Sequence, residues 1–193
     1  MNQWWQYWPS YFTPEDCDNL LKSGEAIEPV PAVGGHGSGE YFEDRNLRRS
    51  MVRWLPPTDK SFLMLYKSLD LLFQEANRIA FGFSVTGFRE VQLAEYSERD
   101  SGTYGWHHDT EWTSKHLIRR KLSMAVQLSS SEDYSGGDLE FREDQCGETP
   151  DPQELRKQGT IIVFPSFLEH RVTPVTAGTR RSLVTWLEGP YFQ

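Results

Sequence analysis

The segment Tyr104-Gly105-Trp106-His107-His108-Asp109 places an imidazole and a carboxylate two residues apart. On a β-strand, residues i and i+2 point to the same side. His107 and Asp109 are therefore expected to converge on one point, with His108 facing away. A metal at that point needs a third ligand from elsewhere in the chain. His170, a little beyond the apolar run 160–164, is the best remaining candidate. Two His and one carboxylate cover one face of an octahedron and leave three positions open, as an Fe(II) centre that binds a chelating acid and dioxygen requires. A structural zinc site would be closed by four ligands, often thiolates, and neither Cys17 nor Cys146 lies near this motif. H-x-D alone is a weak signal, since such tripeptides occur by chance, and a lone distal His is weaker still.

A second chemical feature follows His170. Ala177-Gly178 reads as a hairpin turn, so the strand after it is expected to lie beside the strand of His170, with Arg180 some 15 Å away at about 3.3 Å per residue. In that strand Arg180, Ser182, Val184 and Trp186 share one face. An arginine on an inward face needs a counter-charge, and no Asp or Glu shares this one. A ligand carboxylate, which a guanidinium binds as a bidentate fork, is one partner; a surface arginine on an edge strand is the alternative.

These residues must be positioned by the elements around them. The aromatic N-terminus, up to Phe12, reads as a strand leading into a helix with Thr13 as N-cap, Pro14 at the first position and Asp16 at the third; Gly24 is expected to stop it. Residues 58–80 carry one apolar stripe at helical spacing, ending at Gly82. After that the period changes to two, in 90–96, 122–128, 139–141, 160–164 and 180–186, with turn residues between. Two helices followed by many short strands predict helices packed on one face of an antiparallel β-sandwich. Residues 142–158 read as a solvated insertion. The glycine-rich stretch 33–40 and the extended 47–55 complete the N-terminal half.

The length of 193 residues fits one domain. A net charge of −8 argues against a broad phosphate-binding surface, so nucleic acid is a disfavoured partner. Two basic clusters stand out: Arg45, Arg48, Arg49 and Arg53, and Arg119, Arg120 and Lys121. Each is either a solvated face or a rim that meets substrate. Two unpatterned cysteines, an N-terminus without the n- and h-regions of a signal peptide, and no ~20-residue apolar span read as a cytoplasmic protein with reduced thiols and no membrane partner.

Taken together, Tyr104, His107, Asp109, His170, Arg180 and Ser182 resemble the Y-x-x-H-x-D, distal His and R-x-S pattern of the 2-oxoglutarate/Fe(II)-dependent dioxygenases, prolyl-4-hydroxylase-like branch, over about half the chain. The resemblance implies a double-stranded β-helix (jelly roll) core, mostly within 88–188, with supporting helices mostly within 1–82. It implies Fe(II) on His107, Asp109 and His170, with 2-oxoglutarate and O2 as cosubstrates and ascorbate as an accessory reductant. It also implies Tyr96 as a hydrogen-bond donor to the 2-oxoglutarate carboxylate, Leu139 as an apolar wall and Trp186 behind the cosubstrate; for the last two, plain core packing is the other reading.

Two departures bear on the subfamily. The far carboxylate faces Arg180, where many collagen-type enzymes use Lys, and Gln127 stands where oxygen-sensing relatives carry a tyrosine. The implied reaction is hydroxylation of a peptidyl prolyl residue with release of succinate and CO2. The segment from the glycine-rich stretch to Arg53 would be a substrate lid or an ordinary loop. Trp106, Trp112 and Tyr104 would line a peptide groove or the core. The alternatives are the same chemistry on a free amino acid, small metabolite or nucleobase, or a non-catalytic cupin-like metal-binding module.

Overall fold

A computed structural model describes residues 4–33, 43–112 and 117–191. The dense part of the glycine-rich stretch lies outside the described residues. In chain order the elements are β1 (Gln6–Trp8), α1 (Pro14–Glu25), β2 (Val30–Pro31), β3 (Arg48–Arg49), β4 (Met51–Leu55), α2 (Leu63–Ala76), β5 (Gly87–Ser97), β6 (Thr103–His107), β7 (Ile118–Gln127), β8 (Tyr134–Gly136), β9 (Leu139–Phe141), α3 (Glu143–Cys146), α4 (Pro152–Arg156), β10 (Ile161–Pro165), β11 (His170–Val172) and β12 (Val175–Pro190).

Two antiparallel sheets face each other. The larger runs β1-β10-β7-β12-β5-β4-β2, with β8 on the first residues of β12, and the smaller runs β3-β6-β11-β9. This is the expected jelly-roll architecture, with the helices on the outer face of the larger sheet. Period-two alternation divides each central strand between two environments. Val91 and Leu93 of β5 and Leu183 and Leu187 of β12 are buried with Leu65, Leu69, Leu72 and Phe73 of α2. Gln92, Ala94 and Tyr96 of β5, paired with Val184, Ser182 and Arg180 of β12, face the smaller sheet instead.

The start of α1 follows the expected chemistry: the Thr13 side chain accepts from the Asp16 N–H, and the Asp16 carboxylate accepts from the Thr13 N–H. Gly24 does not stop α1. The helix continues to Glu25, and Gly24 is buried within it because a Cβ there would stand 2.6 Å from Leu93 Cδ2. The glycine therefore permits close approach of helix and sheet. The apolar stripe of 58–80 also stops short. After Ala76 the chain makes a π turn, Asn77–Phe81, which advances the face by one residue. Asn77 is turned inward, where its side chain bonds both the N–H and the C=O of Phe83, and Ile79 is left 56% exposed.

The largest departure concerns the hairpin expected at Ala177-Gly178. These residues lie inside β12, paired with Ser135 and Tyr134 of β8. β11 pairs with β6 and β9 in the smaller sheet, so β12 does not lie beside it; the Thr173-Pro174 link carries the chain from one sheet to the other. The insertion 142–158 is not wholly solvated. It holds α3 and α4, buries Cys146 and Leu155, and is tied down by Arg156 bonding the Asp138 carboxylate and the carbonyls of Gly136 and Tyr134.

Candidate functional site

His107 and His170 are partners in the β6–β11 ladder, so their rings start from adjacent positions on the inner face of the smaller sheet. The ladder carries a bulge. His170 and Val172, two apart, pair with His107 and Tyr104, three apart. The bulge brings Tyr104 to the same face as His107, and their rings stack with centroids 3.4 Å apart. Asp109 lies beyond the end of β6. Its N–H and that of Thr110 both donate to the Ser166 carbonyl, which folds the chain back over the imidazoles. The H-x-D pair converges as expected, though through this turn as well as through strand periodicity.

The three donor groups lie within 4.8 Å of one another. His107 Nε2 is 3.8 Å from Asp109 Oδ1, and His170 Nε2 is 3.6 Å from Asp109 Oδ2. Each ring binds a carbonyl through Nδ1, His107 to Gly105 O at 2.8 Å and His170 to Leu168 O at 2.9 Å. A carbonyl only accepts, so each Nδ1 carries the proton and each Nε2 lone pair points at the shared site. Ser123 donates to Asp109 Oδ2 at 2.6 Å and is itself bonded to Ser166 at 2.9 Å. Burial first, then the neighbouring His170, holds His107 well below its usual value. Burial pushes the Asp109 carboxyl up, but His170, His107, Arg120 and the Ser123 hydroxyl outweigh it and hold it below the carboxylate range. The residues present are a neutral imidazole with a bare Nε2 and an ionised carboxylate, a donor set that fits Fe(II).

Facing them across a shared cavity is Arg180. It is buried, lies over the Tyr96 ring at 5.7 Å and bonds Ser182 Oγ at 3.3 Å. No carboxylate lies within salt-bridge reach of it among the described residues. Trp186 Nε1, at the wall of the same cavity, also has no partner. A buried cation without a counter-charge and an unmatched N–H donor fit a dianionic cosubstrate.

The family description "2OG-Fe(II) oxygenase superfamily" matches residues 91–188, the stretch that holds all of these groups. The chain belongs to this superfamily. A PKHD-type hydroxylase of Gloeothece citriformis is 31% identical over 90% of this chain and 72% of its own length. Matches to other curated PKHD-type hydroxylases are shorter, spanning 40% of those proteins. Among solved structures, a Pseudomonas putida prolyl-4-hydroxylase superposes with a TM-score of 0.71 at 20% identity, covering 98% of this chain and 94% of that one. A Trichoplax adhaerens prolyl hydroxylase, solved with a hypoxia inducible factor peptide fragment, gives 0.74 at 16% identity, covering 96% and 83%. These two likenesses establish the shared fold.

The remaining residues expected at the site divide clearly. Tyr96, Ser182, Leu139 and Trp186 all line the cavity with the three donors and Arg180. Gln127 does not line it; its Nε2 bonds the Ser129 carbonyl. Of the aromatic candidates only Tyr104 lines the cavity, with burial pushing its hydroxyl up to about 12. Trp106 lies on the opposite face of β6, flanked by the guanidiniums of Arg142 and Arg171 at 4.7 and 4.8 Å, and Trp112 is half exposed.

Two residues at the site have no signal in the sequence, and a third has only an ambiguous one. Ser123 and Ser166 carry no motif, and only the crossing of β7 and the segment after β10 reveals their hold on Asp109. Arg48 was grouped with a solvated or rim cluster, yet it is buried and lines the cavity. Arg119 and Lys121 are buried as well, so neither cluster is simply a solvated face.

Proposed function

We propose that this chain is an Fe(II)- and 2-oxoglutarate-dependent dioxygenase that hydroxylates a peptidyl prolyl residue, releasing succinate and CO2. The observation that carries the reading is the facing of two halves of one cavity: two imidazoles and a carboxylate with free lone pairs on one sheet, and on the other a buried guanidinium that no carboxylate among the described residues reaches. The chain spans less than half the length of the first curated relatives it matches, and the likeness to PKHD-type hydroxylases and to prolyl hydroxylase structures supports hydroxylation and a prolyl target. Ascorbate as an accessory reductant and a cytoplasmic location belong to the same proposal; no helix among the described residues is long and apolar enough to cross a membrane.

In this reading His107, Asp109 and His170 hold Fe(II), which supplies the oxidising chemistry when bound with 2-oxoglutarate and O2. The protein supplies orientation and shielding. Gly105 O and Leu168 O fix the imidazole tautomers, and Ser123, backed by Ser166, aims Asp109 Oδ2. Arg180 takes the far carboxylate of 2-oxoglutarate as a bidentate pair, with the Tyr96 hydroxyl as a further donor and Ser182 holding the guanidinium in place. Leu139 and Trp186 close the pocket walls and exclude water. The deciding experiment is anaerobic loading with Fe(II), then 2-oxoglutarate, air and a proline-containing peptide library. Succinate release and a gain of one oxygen on peptide support the proposal; no succinate under any peptide sinks it.

A further inference from the structure

The cavity holds a second buried guanidinium that the cosubstrate does not use. Arg48, on β3, is 7% exposed and pairs in register with Tyr104 of β6. Its guanidinium lies 4.6 Å from the Tyr104 ring centroid, which places it beside the ring stacked on His107. Nε donates to Ser50 Oγ at 2.9 Å, Nη2 to Gln92 Oε1 at 3.0 Å and Nη1 to the Val33 carbonyl at 3.5 Å. Every partner is neutral, and no carboxylate lies within salt-bridge reach of Arg48 among the described residues.

Arg48 and Arg180 are held at different levels of the larger sheet. Arg180 is paired with Tyr96, and the Gln92 that holds Arg48 is paired with Val184. Four residues separate these levels, about 13 Å along the sheet at ~3.3 Å per residue. A five-carbon diacid held at the metal and at Arg180 has both of its carboxylates engaged there, which leaves none for Arg48.

The charges make the same point. The two negative charges of 2-oxoglutarate and the one on Asp109 balance Fe(II) and Arg180. Among the described residues no carboxylate is then left to compensate the buried Arg48, and Arg120, lying on the Trp186 ring, adds positive field at Asp109. A neutral peptide carbonyl can accept a hydrogen bond from Arg48 but does not cancel a buried charge, whereas a carboxylate does both.

We propose that the substrate carries a carboxylate next to the residue that reacts, and that Arg48 receives it. This rests on the oxygenase reading above and narrows its substrate to an acidic class. The carboxylate comes from the substrate's own C-terminus or from an acidic side chain beside the target.

The test uses two matched pairs of peptides, titrated anaerobically by calorimetry into the Fe(II)- and 2-oxoglutarate-loaded protein, so that binding is read without turnover. One pair is N-acetyl-Ala-Pro with a free carboxylate and its terminal amide. The other is N-acetyl-Ala-Pro-Asp-amide and N-acetyl-Ala-Pro-Asn-amide. The expected result is that the acid of at least one pair binds about tenfold to a hundredfold tighter than its neutral twin, as a charge-assisted contact implies. Preference within the first pair alone assigns the C-terminal source, and within the second pair alone the side-chain source. Arg48→Gln is expected to erase the preference and Arg48→Lys to retain part of it. Parity within both pairs, no measurable binding of any peptide, or a preference unchanged in Arg48→Gln overturns the proposal. If Arg48→Gln does not fold, the wild-type pairs and Arg48→Lys still decide. Failure of the underlying function reads differently: the loaded protein then releases no succinate in air.

Discussion

The two ends of the cavity are built on opposite principles. At the His–Asp–His end, on the smaller sheet, each His Nδ1 is tied to a carbonyl, and Asp109 Oδ2 is held by a serine that is itself held by another. Only the Nε2 lone pairs and the remaining carboxylate capacity point inward. At the other end, on the larger sheet, Arg180 is buried against a hydroxyl and an aromatic ring with no counter-charge among the described residues. The first end is organised by the protein alone. The second carries an electrostatic debt that a bound carboxylate removes. Ligand affinity and ligand-free stability should therefore separate between the two ends, and mutations can break or sharpen that contrast.

The largest effect is expected from Asp109→Ala. Succinate formation from 2-oxoglutarate should fall to background while the far-ultraviolet circular dichroism stays native, because the fold does not rest on this one side chain. Residual turnover above background would remove the metal assignment.

Next is Arg180→Met. Losing a charge-assisted bidentate contact should raise the KM for 2-oxoglutarate by about a hundredfold, from a loss on the order of 3 kcal/mol. The ligand-free protein should melt at the same temperature or higher, since an uncompensated buried charge has gone. A lower melting temperature together with an unchanged KM would mean that Arg180 is structural and that the contrast between the ends is false.

Ser123→Ala probes the organised end more gently. Loosening the group that aims a ligand should weaken metal affinity by about 10- to 100-fold, measured by competition with a chelator, with little change in the KM for 2-oxoglutarate once metal is saturating. The smallest effect is on stability. Fe(II) with 2-oxoglutarate at about a hundred times its Kd should stabilise the wild type by roughly 2.7 kcal/mol, a rise of about 5–10 °C in Tm for a chain of this size. In Arg180→Met the 2-oxoglutarate share of that rise should vanish and the metal share remain.

Much of this contrast was legible in the residues themselves. Two side chains at i and i+2, a distal His and an arginine with no acid on its strand face are local facts of composition and period. They anticipated that these groups share one cavity. The Thr13–Asp16 capping box and the α2 stripe are local in the same sense. The reading went wrong where a local signal was overridden by a neighbour distant in sequence. Ala177-Gly178 has turn chemistry, but β8 offers it a ladder, so it continues a strand. Gly24 has stop chemistry, but Leu93 packs where a Cβ would be, so it lies inside a helix.

What the sequence determined by itself, then, is the inventory: which groups can bind a metal, which charge lacks a partner, and which faces are apolar. These follow from side-chain chemistry and from the fixed periods of helix and strand. What only the tertiary structure decided is who meets whom. The crossing of Thr173-Pro174 puts Arg180 opposite His170 instead of beside it. The bulge in β6 turns Tyr104 onto His107. The approach of β7 and of the segment after β10 lays Ser123 and Ser166 on Asp109, and the β3–β6 pairing draws Arg48 into the cavity. Each is a contact between segments far apart in the chain, set by sheet pairing and burial, and no spacing along the chain encodes it.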